Sequence, residues 1–170
     1  DIGNLKVDAL RDRISKLNGD CEVKAVPERW ESGSGLPKTD VIIDGSDNFE
    51  TRFALNAEAM ERQTPLVIGA VGGWQAQVLA VSSGRPCYQC FVPEAPPQAG
   101  DCADIGTLGP VTAMVANMQA LLAIRIILGL TEGLFEKVWR LNGLTGDWKT
   151  SRLVADPECL ACGQTTTIPE

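Results

Sequence analysis

Apolar positions recur on a helical period near the start of the chain. Leu10, Ile14 and Leu17 share one face of a segment from Val7 to Leu17, and Asn18-Gly19 ends it. The period then shortens to two. Cys21, Val23 and Ala25 alternate with Glu22 and Lys24, which predicts a strand with one apolar face and makes Cys21 a buried small hydrophobe. After a Gly/Ser/Pro loop from Ser32 to Lys38, Asp40-Val41-Ile42-Ile43-Asp44 is a short apolar run of the kind found in parallel sheets. Gly45-Ser46-Asp47-Asn48 leads into a helix from about Phe49 to Arg62, and Pro65 to Gly69 reads as a further buried strand. Helix, strand, helix and strand in that order imply right-handed crossovers and a doubly wound, Rossmann-like α/β sheet.

The pattern changes after Gly72-Gly73. Gln75 to Ser82 continues as a strand with no intervening helix, so it is expected to run antiparallel to its neighbour. A Pro-rich loop follows, then a helix from about Pro110 to Leu128 and two last strands near Lys137–Leu141 and Trp148–Val154. The fold class is therefore α/β, parallel in its N-terminal part and antiparallel in its C-terminal part, expected as a single domain over residues 1–170. The apolar stretch from Leu108 to Leu130 invites a membrane reading. Asn117, Gln119 and Arg125 within it argue for a buried central helix instead, because polar groups are costly at the centre of a bilayer.

Composition narrows the function classes. The net charge of -7 speaks against a nucleic-acid binder and against docking on anionic membranes. The 170 residues include no histidine, which rules out a His-based triad, a His-ligated metal and an imidazole general base. Six cysteines could mean three disulfides, but no secretory leader pattern opens the chain, and a reducing, cytoplasmic compartment is expected.

Four of those cysteines form two CxxC units, Cys87-Tyr88-Gln89-Cys90 and Cys159-Leu160-Ala161-Cys162. Four thiolates can close a tetrahedral zinc site with no position left for water. The 68 intervening residues far exceed the linker of a zinc ribbon, so a redox CxxC or unpaired buried cysteines stay open as alternatives. Pro86-Cys87-x-x-Cys90 also matches half of a zinc-deaminase signature. The other half, a ligand two residues before a catalytic Glu, is missing, and that reading fails.

Three further residues could carry chemistry. Asp47 follows a buried strand and opens a helix, at the crevice where α/β sheets bind ligands, and its carboxylate could hold magnesium with nucleotide phosphates. Equally, Asp47 with Glu50 three residues on resembles a capping box that needs no ligand. Lys6 could reach a phosphate or stand solvated. Cys102 sits in the polar segment Ala99 to Gly106, where Asp101 and Asp104 disfavour its thiolate, so on chemistry alone a nucleophile and an idle thiol are evenly matched.

Taken in order, the motifs carry a resemblance. They are Asp40-x-x-x-Asp44-x-x-Asp47-Asn48-x-x-x-Arg52, Pro65-Leu66-Val67-x-Gly69-Ala70, Cys87-x-x-Cys90, Gly106-x-x-Gly109-Pro110, Gln119-Ala120 and Cys159-x-x-Cys162-Gly163. This set resembles the ThiF/MoeB-type adenylyltransferases, relatives of the ubiquitin-activating (E1-like) enzymes, over almost the whole chain. The resemblance implies ATP-dependent adenylation of the C-terminal glycine of a ubiquitin-like sulfur-carrier protein of the ThiS or MoaD kind. It assigns Asp47 to Mg2+ and ATP, Asn48 to the nucleotide site beside it, and Lys6 to a phosphate contact. It aligns Cys102 with a cysteine that in some branches joins covalently to the carrier or its sulfur. It makes Cys87, Cys90, Cys159 and Cys162 a structural Zn2+ site and the protein a homodimer.

One departure from the family pattern matters. Family chains open with a strand, a Gly-rich phosphate loop and a helix, and Gly69-x-x-Gly72-Gly73 is no substitute because it leads into a strand. This polypeptide alone is therefore expected not to adenylate, although its parent would. The rivals are a non-catalytic, zinc-stapled module that docks a ubiquitin-like tail without ATP, and a CxxC oxidoreductase.

Overall fold

The computed structural model describes residues 2–96 and 106–163. The chain divides into two compact units, Asp1–Glu31 and Ser32–Glu170.

In the N-terminal unit, helix α1 (Lys6–Leu17) carries an Asp8–Arg11 ion pair of 2.9 Å along its surface. The Asn18 side chain then accepts from the Asp20 N–H and turns the chain. None of its residues is buried, and Leu10 and Leu17 are exposed. Residues 21–25 form no strand, and Cys21 is exposed rather than buried. Two-residue alternation gives a segment an apolar face, but a ladder needs a partner, and among the described residues none pairs with it.

The second unit is built on one five-stranded sheet in the order β1-β2-β3-β4-β5. Strand β1 (Ile42–Asp44) pairs in parallel with β2 (Leu66–Gly72) through the crossover helix α2 (Phe49–Glu61). Strands β3 (Gln75–Val81), β4 (Lys137–Asn142) and β5 (Asp147–Arg152) add on antiparallel, each to the one before. The expected change from parallel to antiparallel pairing falls where Gly72-Gly73 tightens the chain into the β2–β3 hairpin. Between β3 and β4 come the single-turn helix α3 (Tyr88–Phe91), which periodicity does not reveal, and the long helix α4 (Gly109–Ile127).

Alternation along β2 divides the core between the two faces of the sheet. Val67 joins Ala76, Val78, Ala80 and Leu141 of the sheet and Val111, Val115 and Leu122 of α4 in one apolar cluster. Leu66 and Ile68 point the opposite way and are also sealed from solvent. Helix α2 contacts β1 and β2. Each fully buried Leu or Ile contributes roughly 1.5–3 kcal/mol.

Helix α4 is long and apolar enough to cross a membrane by composition alone, yet it packs one face on β2 and β3. The buried central helix expected is buried along one face only. Val111, Val115, Gln119, Leu122 and Ala123 turn inward, while Met114, Leu121, Ile124 and Ile127 remain exposed. The sheet lies on only one side of it, so one stripe is all it can bury. Gly69 permits the close approach of α4, since a Cβ there would sit 2.5 Å from Gln119 Cδ and 2.7 Å from Val115 Cγ1.

Candidate functional site

Two sites emerge, both braced by α2. The first is the turn between β1 and α2, at the carboxyl end of the parallel pair. Asp44, the last residue of β1, is almost completely buried, and its Oδ1 accepts the Ser46 N–H at 2.8 Å. Its Oδ2 receives Arg52 Nε at 3.2 Å, and Arg52 Nη2 reaches the Ser46 carbonyl at 2.9 Å. From α4, Gln119 Nε2 donates to the Asp44 carbonyl at 2.7 Å. The backbone on either side of Gly45 is thereby held by three buried side chains.

Arg52 keeps its charge in this setting. Burial pulls its pKa down, but the Tyr88 hydroxyl and the Asp44 carboxylate outweigh that and hold it above the ordinary value. Its guanidinium also lies over the rings of Phe49 and Tyr88, at 5.6 and 5.9 Å from their centroids.

The turn presents Asp47, which is exposed, and Asn48, which is not the same kind of residue. Asn48 is the N-cap of α2, its Oδ1 accepting from Thr51 N at 2.8 Å. The capping role weighed for Asp47 belongs to Asn48 instead. Lys6 is exposed at the start of α1 and belongs to the N-terminal unit. Gly72 and Gly73 close the β2–β3 hairpin and precede no helix.

The second site is the cysteine cluster. The Sγ atoms of Cys87, Cys90, Cys159 and Cys162 all lie within 4.8 Å of one another. Three separations are 4.0 Å for Cys87–Cys90, 3.6 Å for Cys87–Cys159 and 3.3 Å for Cys90–Cys162. A tetrahedron with metal–sulfur bonds of about 2.3 Å has sulfur–sulfur edges of about 3.8 Å. The cluster fits a single ion, and these four cysteines can hold a metal.

Main-chain donors ring the sulfurs. The Asp156 N–H points at Cys90 Sγ at 3.4 Å, the Cys90 N–H at Cys87, and the Ala161 and Cys162 N–H groups at Cys159. Gly163 N donates to the Cys159 carbonyl at 2.7 Å, and a Cβ on Gly163 would meet the Pro157 carbonyl oxygen at 2.6 Å. That close approach explains the glycine after the second pair.

Without a cation two of the thiols, Cys87 and Cys162, resist ionisation. Burial pushes Cys87 up to about 11, with Asn56 and the Cys90 N–H only partly offsetting it. Burial and the crowding of Cys90, Cys87 and Cys159 push Cys162 up as well. Cys159 lies below the ordinary value, its main-chain donors outweighing burial. A bound dication reverses this balance, since a coordinating thiol is deprotonated outright.

Cys102, the thiol proposed for chemistry, lies outside the described residues. The chain resumes at Gly106, whose carbonyl accepts from Gly73 N at 3.0 Å, and Thr107 bridges to Gly73. This re-entry lies at the carboxyl end of β2, the sheet end that also carries the Asp47 turn.

Asp44, Arg52 and Gln119 stand within the sequence motifs with nothing local to show their role, and Asn56 stands outside those motifs. A buried Asp followed eight residues later by a helical Arg is a signal that can be searched for.

Comparison with known proteins follows the same lines. Residues 1–161 match the model described as the ThiF family. A sulfur carrier protein adenylyltransferase of Thermus thermophilus is 30% identical over all of this chain, which spans 67% of that protein. A SAMP-activating enzyme E1 of Haloferax volcanii is 31% identical, with 96% of this chain spanning 63% of it. An adenylyltransferase and sulfurtransferase MOCS3 of Culex quinquefasciatus is 30% identical over 98% of this chain and 40% of its own length. The chain thus spans about two thirds or less of these curated relatives. Among solved structures, E. coli MccB with ATP superposes with a TM-score of 0.80 at 18% identity, over 96% of this chain and 52% of MccB, a likeness of fold.

Proposed function

The chain belongs to the ThiF family, and on that premise we propose that it forms part of an enzyme that uses ATP to adenylate the C-terminal glycine of a ubiquitin-like sulfur-carrier protein. The observation that carries this reading is the braced turn at the end of β1. Asp44, Arg52 and Gln119 hold rigidly a loop from which Asp47 projects toward solvent at the carboxyl end of a parallel pair. Open α/β sheets bind ligands there, and an exposed carboxylate suits a hydrated Mg2+ carrying nucleotide phosphates. Lys6 would contact phosphate, and Asn48 would shape the nucleotide side of the turn while capping α2. Cys102 would join covalently to the carrier after adenylation, its thiolate attacking the acyl-adenylate carbonyl to form a thioester as the acyl–phosphate bond breaks and AMP leaves. Support comes from Gly106, four residues further on, which bonds to Gly73 at the carboxyl end of β2.

The ion proposed for the cysteine cluster is zinc, because a closed all-sulfur tetrahedral site favours that metal. Bound there it would staple the α3 knuckle to the C-terminal knuckle. A cytoplasmic setting suits four reduced thiols. A second copy of the chain is the proposed partner besides the carrier, supported by the exposed stripe of Met114, Leu121 and Ile124 on α4 and Leu128 at its C-cap.

These 170 residues by themselves are proposed to release no pyrophosphate, because no Gly-rich strand–loop–helix stands in the sequence to cradle the phosphates. Three measurements test the reading. Metal analysis of the purified chain should give one zinc per chain. Calorimetry should show Mg2+-dependent ATP binding that Asp47→Ala removes, and equal binding by that variant would refute the assignment. Pyrophosphate release from the chain with Mg-ATP and a carrier protein, at an ordinary enzymatic rate, would overturn the claim of inactivity.

A further inference from the structure

Asn56 is the one fully buried amide side chain of α2 and sits against the first CxxC unit. Its Oδ1 accepts the Tyr88 N–H at 2.9 Å. A main-chain N–H can only donate, so this bond fixes which end of the amide faces Tyr88. The Nδ2 end is buried and completes no hydrogen bond among the described residues. A buried N–H pair with nothing to donate to costs about 1–3 kcal/mol. Such a cost in a native core calls for an acceptor of another kind.

One is at hand. Cys87 directly precedes Tyr88, the residue whose N–H Asn56 holds, and is itself sealed from solvent. A neutral thiol is a weak acceptor, whereas a metal-bound thiolate carries charge and accepts well. We propose that Asn56 is a positioning residue of the metal centre, its Oδ1 clamping the Tyr88 main chain while its Nδ2–H donates to Cys87 Sγ once that sulfur ligates the ion. The other described donors to the sulfurs come from the main chain of the knuckles themselves. Asn56 reaches Cys87 from a separate helix, and it lies one helical turn beyond Arg52, which packs over the ring of the same Tyr88. The metal knuckle is thus gripped by the helix that also braces the Asp47 turn.

This inference rests on the reading of the cluster as a metal site, and the experiment separates the two. Asn56→Asp keeps the acceptor for the Tyr88 N–H and nearly the same volume, but removes the donor. Competition with a chelator should show metal held about 10- to 100-fold more weakly in this variant, the range seen for outer-shell partners. Its cobalt-loaded form should show sulfur-to-cobalt charge-transfer bands at lower energy than the parent. As a measurement that needs no variant to fold, the parent loaded with NMR-active cadmium should show scalar coupling between the metal and an Asn56 side-chain amide proton. Metal bound stoichiometrically but with no such coupling, or with unchanged affinity in Asn56→Asp, overturns the role of Asn56 alone. Failure of the parent to bind any metal overturns the metal reading and this inference together.

Discussion

Arg52 Nε stands 3.2 Å from Asp44 Oδ2 with 6% and 1% of the two side chains exposed, a buried ion pair between the end of β1 and the first turns of α2. Neither charge is left to the pair alone. Asp44 also accepts the Ser46 N–H, and Arg52 also donates to the Ser46 carbonyl and lies over two rings. Burying two charges is costly, and these additional bonds to each partner offset part of that cost.

Removing one member should therefore be far worse than removing both. Arg52→Met leaves a buried, uncompensated carboxylate and is expected to cost roughly 3–5 kcal/mol in urea unfolding. Asp44→Asn combined with Arg52→Met should cost less than the sum of the single changes. Additive losses would mean the two residues do not act as a unit.

Gly69→Ala is expected to destabilise the second unit by about 1–3 kcal/mol, since the new methyl would overlap Gln119 and Val115. Adding Gln119→Ala should restore only part of this, because Val115 Cγ1 still crowds the site and the bond to the Asp44 carbonyl is lost. Full restoration would show that the crowding involves Gln119 alone.

Asp47 and Asn48 should separate cleanly. Asn48→Ala removes the cap of α2 and should cost about 0.5–2 kcal/mol. Asp47→Ala, at an exposed position, should stay within about 0.5 kcal/mol of the parent while losing Mg2+-dependent ATP binding. Thermal unfolding and calorimetry on the two variants check both halves of the assignment.

The cysteine cluster makes stability depend on pH in opposite senses with and without metal. In the metal-free chain Cys87 is raised from 9.0 to about 11, so the folded state holds its proton more tightly than the unfolded state does. That contribution is complete below about pH 9 and is lost as pH rises to about 11. The metal-loaded chain keeps the thiolate bound and should instead weaken as pH falls and protons compete for sulfur. Denaturation curves on both forms from neutral to alkaline pH should cross in sign of slope, and parallel slopes would argue that metal never engages Cys87.

Periodicity and punctuation alone determined the order of elements, the parallel pair at Ile42 and Leu66, the antiparallel continuation after Gly72-Gly73, and the two CxxC units. These are local properties, carried by residues a few positions apart. Where a local pattern lacked its partner, as at Cys21 to Ala25, the same reasoning named a strand that does not form. Tertiary structure decided the rest. It brought Cys87 to 3.6 Å from Cys159 across 72 positions, set Gln119 against Asp44 across 75, and laid Asn56 on Tyr88 across 32. Such contacts depend on how α2, α4 and the sheet pack together, and no window of sequence contains both ends of them. The reason is physical: a helix or strand is specified by its own repeating face, whereas a buried polar contact is specified only when two faces meet.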